Sequence, residues 1–201
     1  MGKSISKQSA KQIAMTIVGD ISNDPNLSAS EYIKKYWAIY ESSYPNNQNI
    51  NGKVFEELIA ICLIRAKVLP FYMQAKVAFI PNVNYDFIIY TNDIGPIALS
   101  AKTSLRERWK QADLEAVAMK FIHRKSKSFV ITMSATEVKT RRVDPSQMMG
   151  LDGYVLANTK EFDDFISELQ KHDLSLSPRV DAVSSHTVIT RDNSKERYSR
   201  S

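Results

Sequence analysis

Apolar positions recur at three- and four-residue intervals over residues 5–18 and 29–42, which predicts two amphipathic helices. The polar stretch Asn23-Asp-Pro-Asn-Leu-Ser28 separates them, with Ser28 or Ser30 as the N-cap of the second and Glu31 near its first turn. Asn46 to Gly52 reads as a loop. The segment from Lys53 to Lys67 is apolar on several sides, which predicts a nearly buried helix. Glu56 and Glu57 fall in its first turn, and a carboxylate on a buried helix needs a reason.

From Gln74 the period shortens. Ala75–Ile80, Asn84–Tyr90 and Pro96–Ala101 read as strands joined by turns at Pro81-Asn82 and Asn92-Asp-Ile-Gly95. Leu105 to Lys125 reads as a long amphipathic helix whose apolar positions include Leu114, Val117, Ala118 and Phe121. Ser128–Met133 and Gly153–Ala157 are further strands, with helices near Glu137–Arg142 and Glu161–His172. Strand-helix-strand order after residue 96 predicts an α/β (α+β) fold, a central mixed sheet of about five strands flanked by helices. In this reading residues 1–50 form an N-terminal helical region of one domain, 51–175 its core, and 176–201 a polar, mobile tail.

A length of 201 residues with 43% hydrophobic content is enough for one domain with a sizeable core. The net charge of +5 admits a polyanionic partner without requiring one. The one cysteine, Cys62, lies in the apolar run Ile59–Ile64, which excludes an intramolecular disulfide and fits a reducing compartment. No apolar stretch is long enough for a membrane span, and the N-terminus has no signal-peptide core. The expectation is a soluble cytoplasmic protein. His123, His172 and His186 lack ligand spacing, so no zinc site is expected.

Candidate chemistry concentrates around Ser100-Ala-Lys102. Asp86 lies in the preceding strand, Glu115 on the following helix, and a hairpin would place Asp86 and Lys102 on neighbouring strands. Glu56 could approach from the buried helix, with Glu57 as its alternative. Two carboxylates and an amine gathered at a strand end can hold a divalent metal and activate water. Oxygen ligands suit Mg²⁺. Arg106-Glu107-Arg108 follows the lysine, and such side chains match guanine and cytosine edges. Tyr32, Tyr36, Trp37 and Tyr40 have helical spacing and read first as core packing, with Tyr36 and Trp37 as candidates for stacking on an extruded base.

These residues resemble the PD-(D/E)xK restriction endonucleases, in the branch where Ser-x-Lys replaces the usual acid and a glutamate on the next helix supplies the missing carboxylate. Lys102-Thr-Ser-Leu-Arg-Glu-Arg-Trp-Lys-Gln111 is similar to the corresponding segment of the EcoRII and SsoII enzymes. The tight likeness covers 100–115 and a looser one about 53–160. The resemblance implies a restriction-endonuclease-like catalytic core over 51–175. It also implies a type II restriction endonuclease that hydrolyses double-stranded DNA with Mg²⁺, with Asp86 and Glu115 on the metal. Lys102 would assist the water, Glu56 would be the helix glutamate, and Arg106, Glu107 and Arg108 would read the outer pairs of a CC(N/W)GG-type or CCGG-containing site. A homodimer in a bacterial or archaeal cytoplasm is implied, with a DNA methyltransferase as genetic partner only. No proline directly precedes Asp86, so Asp93 stays open as the first acid. Rival expectations are a repair or structure-specific nuclease of the same class, a non-catalytic DNA-binding protein, and a basic adaptor with a chance motif.

Overall fold

Two capping boxes open the first two helices. Ser9 caps α1 (Ala10–Val18) with Gln12 answering it, and Ser28 caps α2 (Ala29–Ser43) with Glu31 answering it. Ser30, the other N-cap candidate, instead donates through its amide and hydroxyl to Asp163 at 2.8 and 2.7 Å. The computed structural model describes residues 8–44, 50–80, 82–106, 108–178 and 183–194. Among these, no helix is long and apolar enough to cross a membrane.

α3 (Asn51–Arg65) starts earlier than its sequence suggests, taking Gly52 into its first turn. Glu56 and Glu57 are therefore second-turn residues, beyond the zone where the helix dipole favours acids. Eleven consecutive residues of α3, Val54 to Ile64, are buried.

The sheet follows in three steps. β1 (Phe71–Val77), β2 (Tyr85–Thr91) and β3 (Gly95–Ala101) form an antiparallel meander. α4 (Arg108–Ile122) then crosses over to β4 (Lys127–Thr132), parallel to β3. α5 (Ala135–Arg142) leads to β5 (Gly153–Leu156), parallel to β4, and α6 (Lys160–Leu169) follows. The sheet order is β5-β4-β3-β2-β1-β6. The last member, β6 (Val183–Ile189), lies in the stretch expected to be a mobile tail, and it pairs antiparallel with β1 over most of that strand's length. Among the described residues the sheet has six strands, in keeping with the mixed sheet of about five that the sequence predicts.

Helices cover both faces. α1, α2, α3 and α6 pack with Phe71, Met73, Phe87, Ile89, Ile97, Leu99 and Ile131 on one side. α4 and α5 cover the other, where Ala98, Val130 and Tyr154 meet residues such as Trp109, Ala112, Ala116, Met119 and Val138. This corrects the reading of α4: Leu114, Val117 and Phe121 are not its core face but are exposed.

Strand alternation breaks at one level of the sheet. In β1, Phe71 and Met73 join the α3 side, whereas Ala75 and Val77 join the opposite side. β2 does the same, with Phe87 and Ile89 on one side and Tyr85 on the other. Gln74 and Asp86 stand at these breaks, between the paired residues Met73–Phe87 and Ala75–Tyr85. Gln74 has φ +50°, a left-handed conformation costly for a residue with a Cβ. A period-2 pattern cannot continue through such a point, and this explains why the first half of β1 was not legible as strand.

Candidate functional site

The break at Gln74 and Asp86 coincides with the candidate chemistry. Phe87 pairs with Leu99, so Asp86 falls opposite Ser100. Asp86 Oδ2 accepts the Ala101 amide at 2.9 Å and the Ser100 hydroxyl at 3.2 Å. Lys102 Nζ donates to the same oxygen at 2.9 Å, in a half-buried ion pair. The Lys102 amide continues the β3–β4 ladder by donating to the Ile131 carbonyl at 2.9 Å, which fixes the backbone from which the amine projects. Asp86 is thus the acid that meets Lys102. Asp93 lies in the β2–β3 turn against His172, at 2.6 Å, and is no longer a candidate.

Glu56 approaches from α3. Its Oε2 accepts Gln74 Nε2 at 2.7 Å and Lys53 Nζ at 3.2 Å, and Asn84 Nδ2 donates to Gln74 Oε1 at 2.7 Å. Asn84, Gln74 and Glu56 form a relay, and the unusual backbone of Gln74 aims its amide into it. Burial first, then the negative charge of Asp86, pushes the Glu56 carboxyl up to about 7, against the pull of Lys53 and Lys102. The Gln74 contact and the nearby Asp86 and Lys102 charges place Glu56 at this cluster.

Glu115 completes the group from α4. Gln111, one turn earlier, donates to its Oε1 at 2.8 Å. Tyr85, next to Asp86, donates its hydroxyl to the Glu115 carbonyl at 2.9 Å and so ties this turn of α4 to β2. Burial raises the Glu115 carboxyl above its ordinary value; Gln111 and Lys102 pull it down, and the Asp86 charge raises it again. Glu56 and Glu115 therefore each feel the charges of Asp86 and Lys102.

Comparison with family profiles, with curated proteins and with solved structures gives no match.

Among the described residues no three His, Cys, Asp or Glu side chains are gathered closely enough to hold a metal by protein atoms alone. Mg²⁺ asks for less: one or two carboxylates, with water and phosphate oxygens filling the remaining positions. Asp86 and Glu115 supply such a pair in kind, and the three donors on Asp86 all meet Oδ2. Glu56 and Glu115 are each raised by burial first and by the Asp86 charge after it, and a cation at Asp86 would offset the second cause.

The segment after Lys102 is held by Glu137 of α5. Its carboxylate accepts the amides of Leu105 at 2.8 Å and Arg106 at 3.2 Å and the Ser104 hydroxyl at 3.3 Å, which hold it below its ordinary range, the Leu105 amide foremost. Arg106 is exposed, with φ +30°, and lines a cleft of about 650 Å³ together with Thr103, Ser104, Asn51 and Trp37. Glu107 lies outside the described residues; Arg108 opens α4, and its side chain also falls outside them.

The stacking candidates pack as core. Tyr36 is buried and donates its hydroxyl to Asp24 at 2.6 Å, so it is set aside as a base platform. Trp37 lies edge-on to Phe55 and tilted against Tyr40, and only its margin reaches the cleft. The sequence reading did not single out Gln74, Asn84, Tyr85 or Glu137. Only the strand break at Gln74 left a trace in the chain, as a period that fails.

Proposed function

We propose that this chain is a Mg²⁺-dependent nuclease of the type II restriction class, acting on double-stranded DNA at a short palindromic CC(N/W)GG-type site. The observation that supports it best is the Lys102 amine paired to Asp86 at a strand end, with Glu56 and Glu115 near enough to feel both charges.

In the reaction a water oxygen bonds to phosphorus, the P–O3′ bond breaks, and the 3′ oxygen takes a proton, leaving 5′-phosphate and 3′-hydroxyl ends. Asp86 and Glu115 would hold the metal, which supplies charge neutralisation at the phosphate and a lower pKa for bound water. Lys102 places a positive charge beside the scissile phosphate and is oriented by Asp86, Ser100 and the β3–β4 ladder. Glu56 exchanges its proton near neutrality, so it sets the charge of the cluster at working pH. Arg106, Glu107 and Arg108 read the outer G·C pairs, the arginine forks on guanine O6 and N7 and the carboxylate on cytosine N4. Glu137 holds the start of that segment.

A non-catalytic DNA-binding protein is the second reading. The absence of a three-acid metal cluster among the described residues is what favours it. Digestion of a sequenced phage DNA with Mg²⁺, followed by end-sequencing, separates the two. Discrete ends at CC(N)GG are expected, lost in Lys102→Ala while cognate binding survives. Cognate binding with no cleavage under any divalent metal would select the second reading. Scattered ends would select a structure-specific or repair nuclease.

A further inference from the structure

The end of the sheet away from Lys102 carries a second group of cations. β1 starts there, β6 ends there with Ile189 paired to Phe71, and the β2–β3 turn follows Thr91. Two clefts open at this end, of about 930 and 350 Å³, and Lys67 and Arg191 line both. Ile21, Pro25, Ile64 and Leu69 give the larger cleft its apolar walls. His172 lines the smaller one, and Asp93 Oδ2 holds its Nδ1 at 2.6 Å, which fixes the ring and leaves its other nitrogen for a ligand. Among the described residues, neither the Lys67 amine nor the Arg191 guanidinium meets an acid. The acids that share the clefts are engaged locally. Asp20 accepts the amide and hydroxyl of Ser22 at 2.7 and 2.6 Å, and Asp173 accepts Asn92 Nδ2 at 2.7 Å.

Lys67 stands at a backbone position that works against it. The Lys67 amide donates to the Ile64 carbonyl and the Val68 amide to the Leu63 carbonyl, both at 2.9 Å, which is the Schellman ending of α3. The left-handed residue of that motif is ordinarily glycine, and here it is a lysine with φ +57°. Such a choice costs stability, and costs of this kind gather at sites of function.

We propose that the two clefts form one binding site for a phosphate monoester carried on an apolar body, with the phosphate on Lys67, Arg191 and His172 and the body against Ile64, Leu69 and Pro25. The volumes suit a small molecule. The head group follows from the donors. An amine, a guanidinium fork and an imidazole reach the site from three separate elements, after α3, β6 and α6. A carboxylate offers two oxygens in one plane, whereas a phosphate offers three in a pyramid, one for each donor. The inference does not rest on the nuclease reading, since none of these residues belongs to the Asp86–Lys102 cluster.

The test is calorimetric titration of the full chain with 1-naphthyl phosphate, without DNA or Mg²⁺. A dissociation constant below about 1 mM is expected. Inorganic phosphate, 1-naphthol and 1-naphthoate, which lack the body, the head and the third oxygen in turn, should each bind at least about tenfold more weakly. Lys67→Gly removes the amine and relieves the left-handed backbone together. Its melting temperature should hold or rise while the dissociation constant rises at least about fivefold, an outcome that a merely structural lysine would not give. Arg191→Gln should weaken binding likewise, and Lys139→Gln, on α5 across the sheet, should leave it unchanged. No binding of the ester, binding indifferent to both Lys67→Gly and Arg191→Gln, or inorganic phosphate bound as tightly as the ester overturns the proposal. Ester binding by a chain that cuts no DNA would sink the nuclease reading and leave this one standing.

Discussion

Glu56 is the residue whose protonation is most exposed to experiment. Its folded value of about 7 lies above the ordinary 4.5, so between those pH values the folded protein keeps a proton that the unfolded chain has released. Stability contributed by this group therefore falls as pH rises from about 4.5 to about 7 and is level above that. Glu115 is shifted in the same direction. Urea unfolding across this range should show the decline, and Glu56→Gln should make it shallower; an unchanged slope would contradict the raised Glu56 carboxyl. Gln74 offers a second test at this scale. Its amide donates to Glu56 and so favours the charged form. Gln74→Gly relieves the positive φ while removing that donor. The fold should persist, and the acidic limb of the cleavage profile should move to higher pH, as a pH titration of the cutting rate would show.

At the scale of elements, Asp113 is the acid whose weight the sequence hides. It sits on the inner side of α4, one position from exposed Leu114, and in a linear reading it is one more helix carboxylate. The structure gives it three amide donors from the α5–β5 connection. Asp113→Ala would strand buried amides at a cost of about 1–3 kcal/mol apiece, partly recovered by relaxation, so a loss of roughly 3 kcal/mol is expected in denaturant unfolding. Gly150→Ala should also destabilise, through crowding against the α4 backbone. The helices were legible from their periods, and the β2–β5 strands from short apolar runs bounded by turn residues. Three things were not. The first half of β1 was hidden by the break at Gln74. The true start of α3 was hidden because Gly52 looks like a turn residue. The buried side of α4 was misread because both of its sides carry apolar residues, so periodicity could not tell which one faces the sheet.

For the whole molecule, the fold places its candidate chemistry where a meander gives way to parallel strands, at the last paired residues of β3. The pairing of Asp86 with Lys102 follows from hairpin register and was legible from the chain. The approach of Glu56 was nearly so. The supports around them, Tyr85 and Glu137, were not, because each acts through a contact between elements distant in sequence. The strand in the polar tail was missed for a related reason: Val183-Ser-Ser-His-Thr-Val-Ile189 is mostly polar, and only β1 beside it makes it a strand. That strand has a consequence for handling and evolution of the protein. A chain ending at residue 178 would leave β1 with a bare row of amides and carbonyls, a ready template for other chains to pair with. Such a truncation, although it removes no residue of the candidate site, should aggregate in light scattering at concentrations where the full chain stays clear. The C-terminal strand then serves as a seam that keeps the sheet from being extended by strangers.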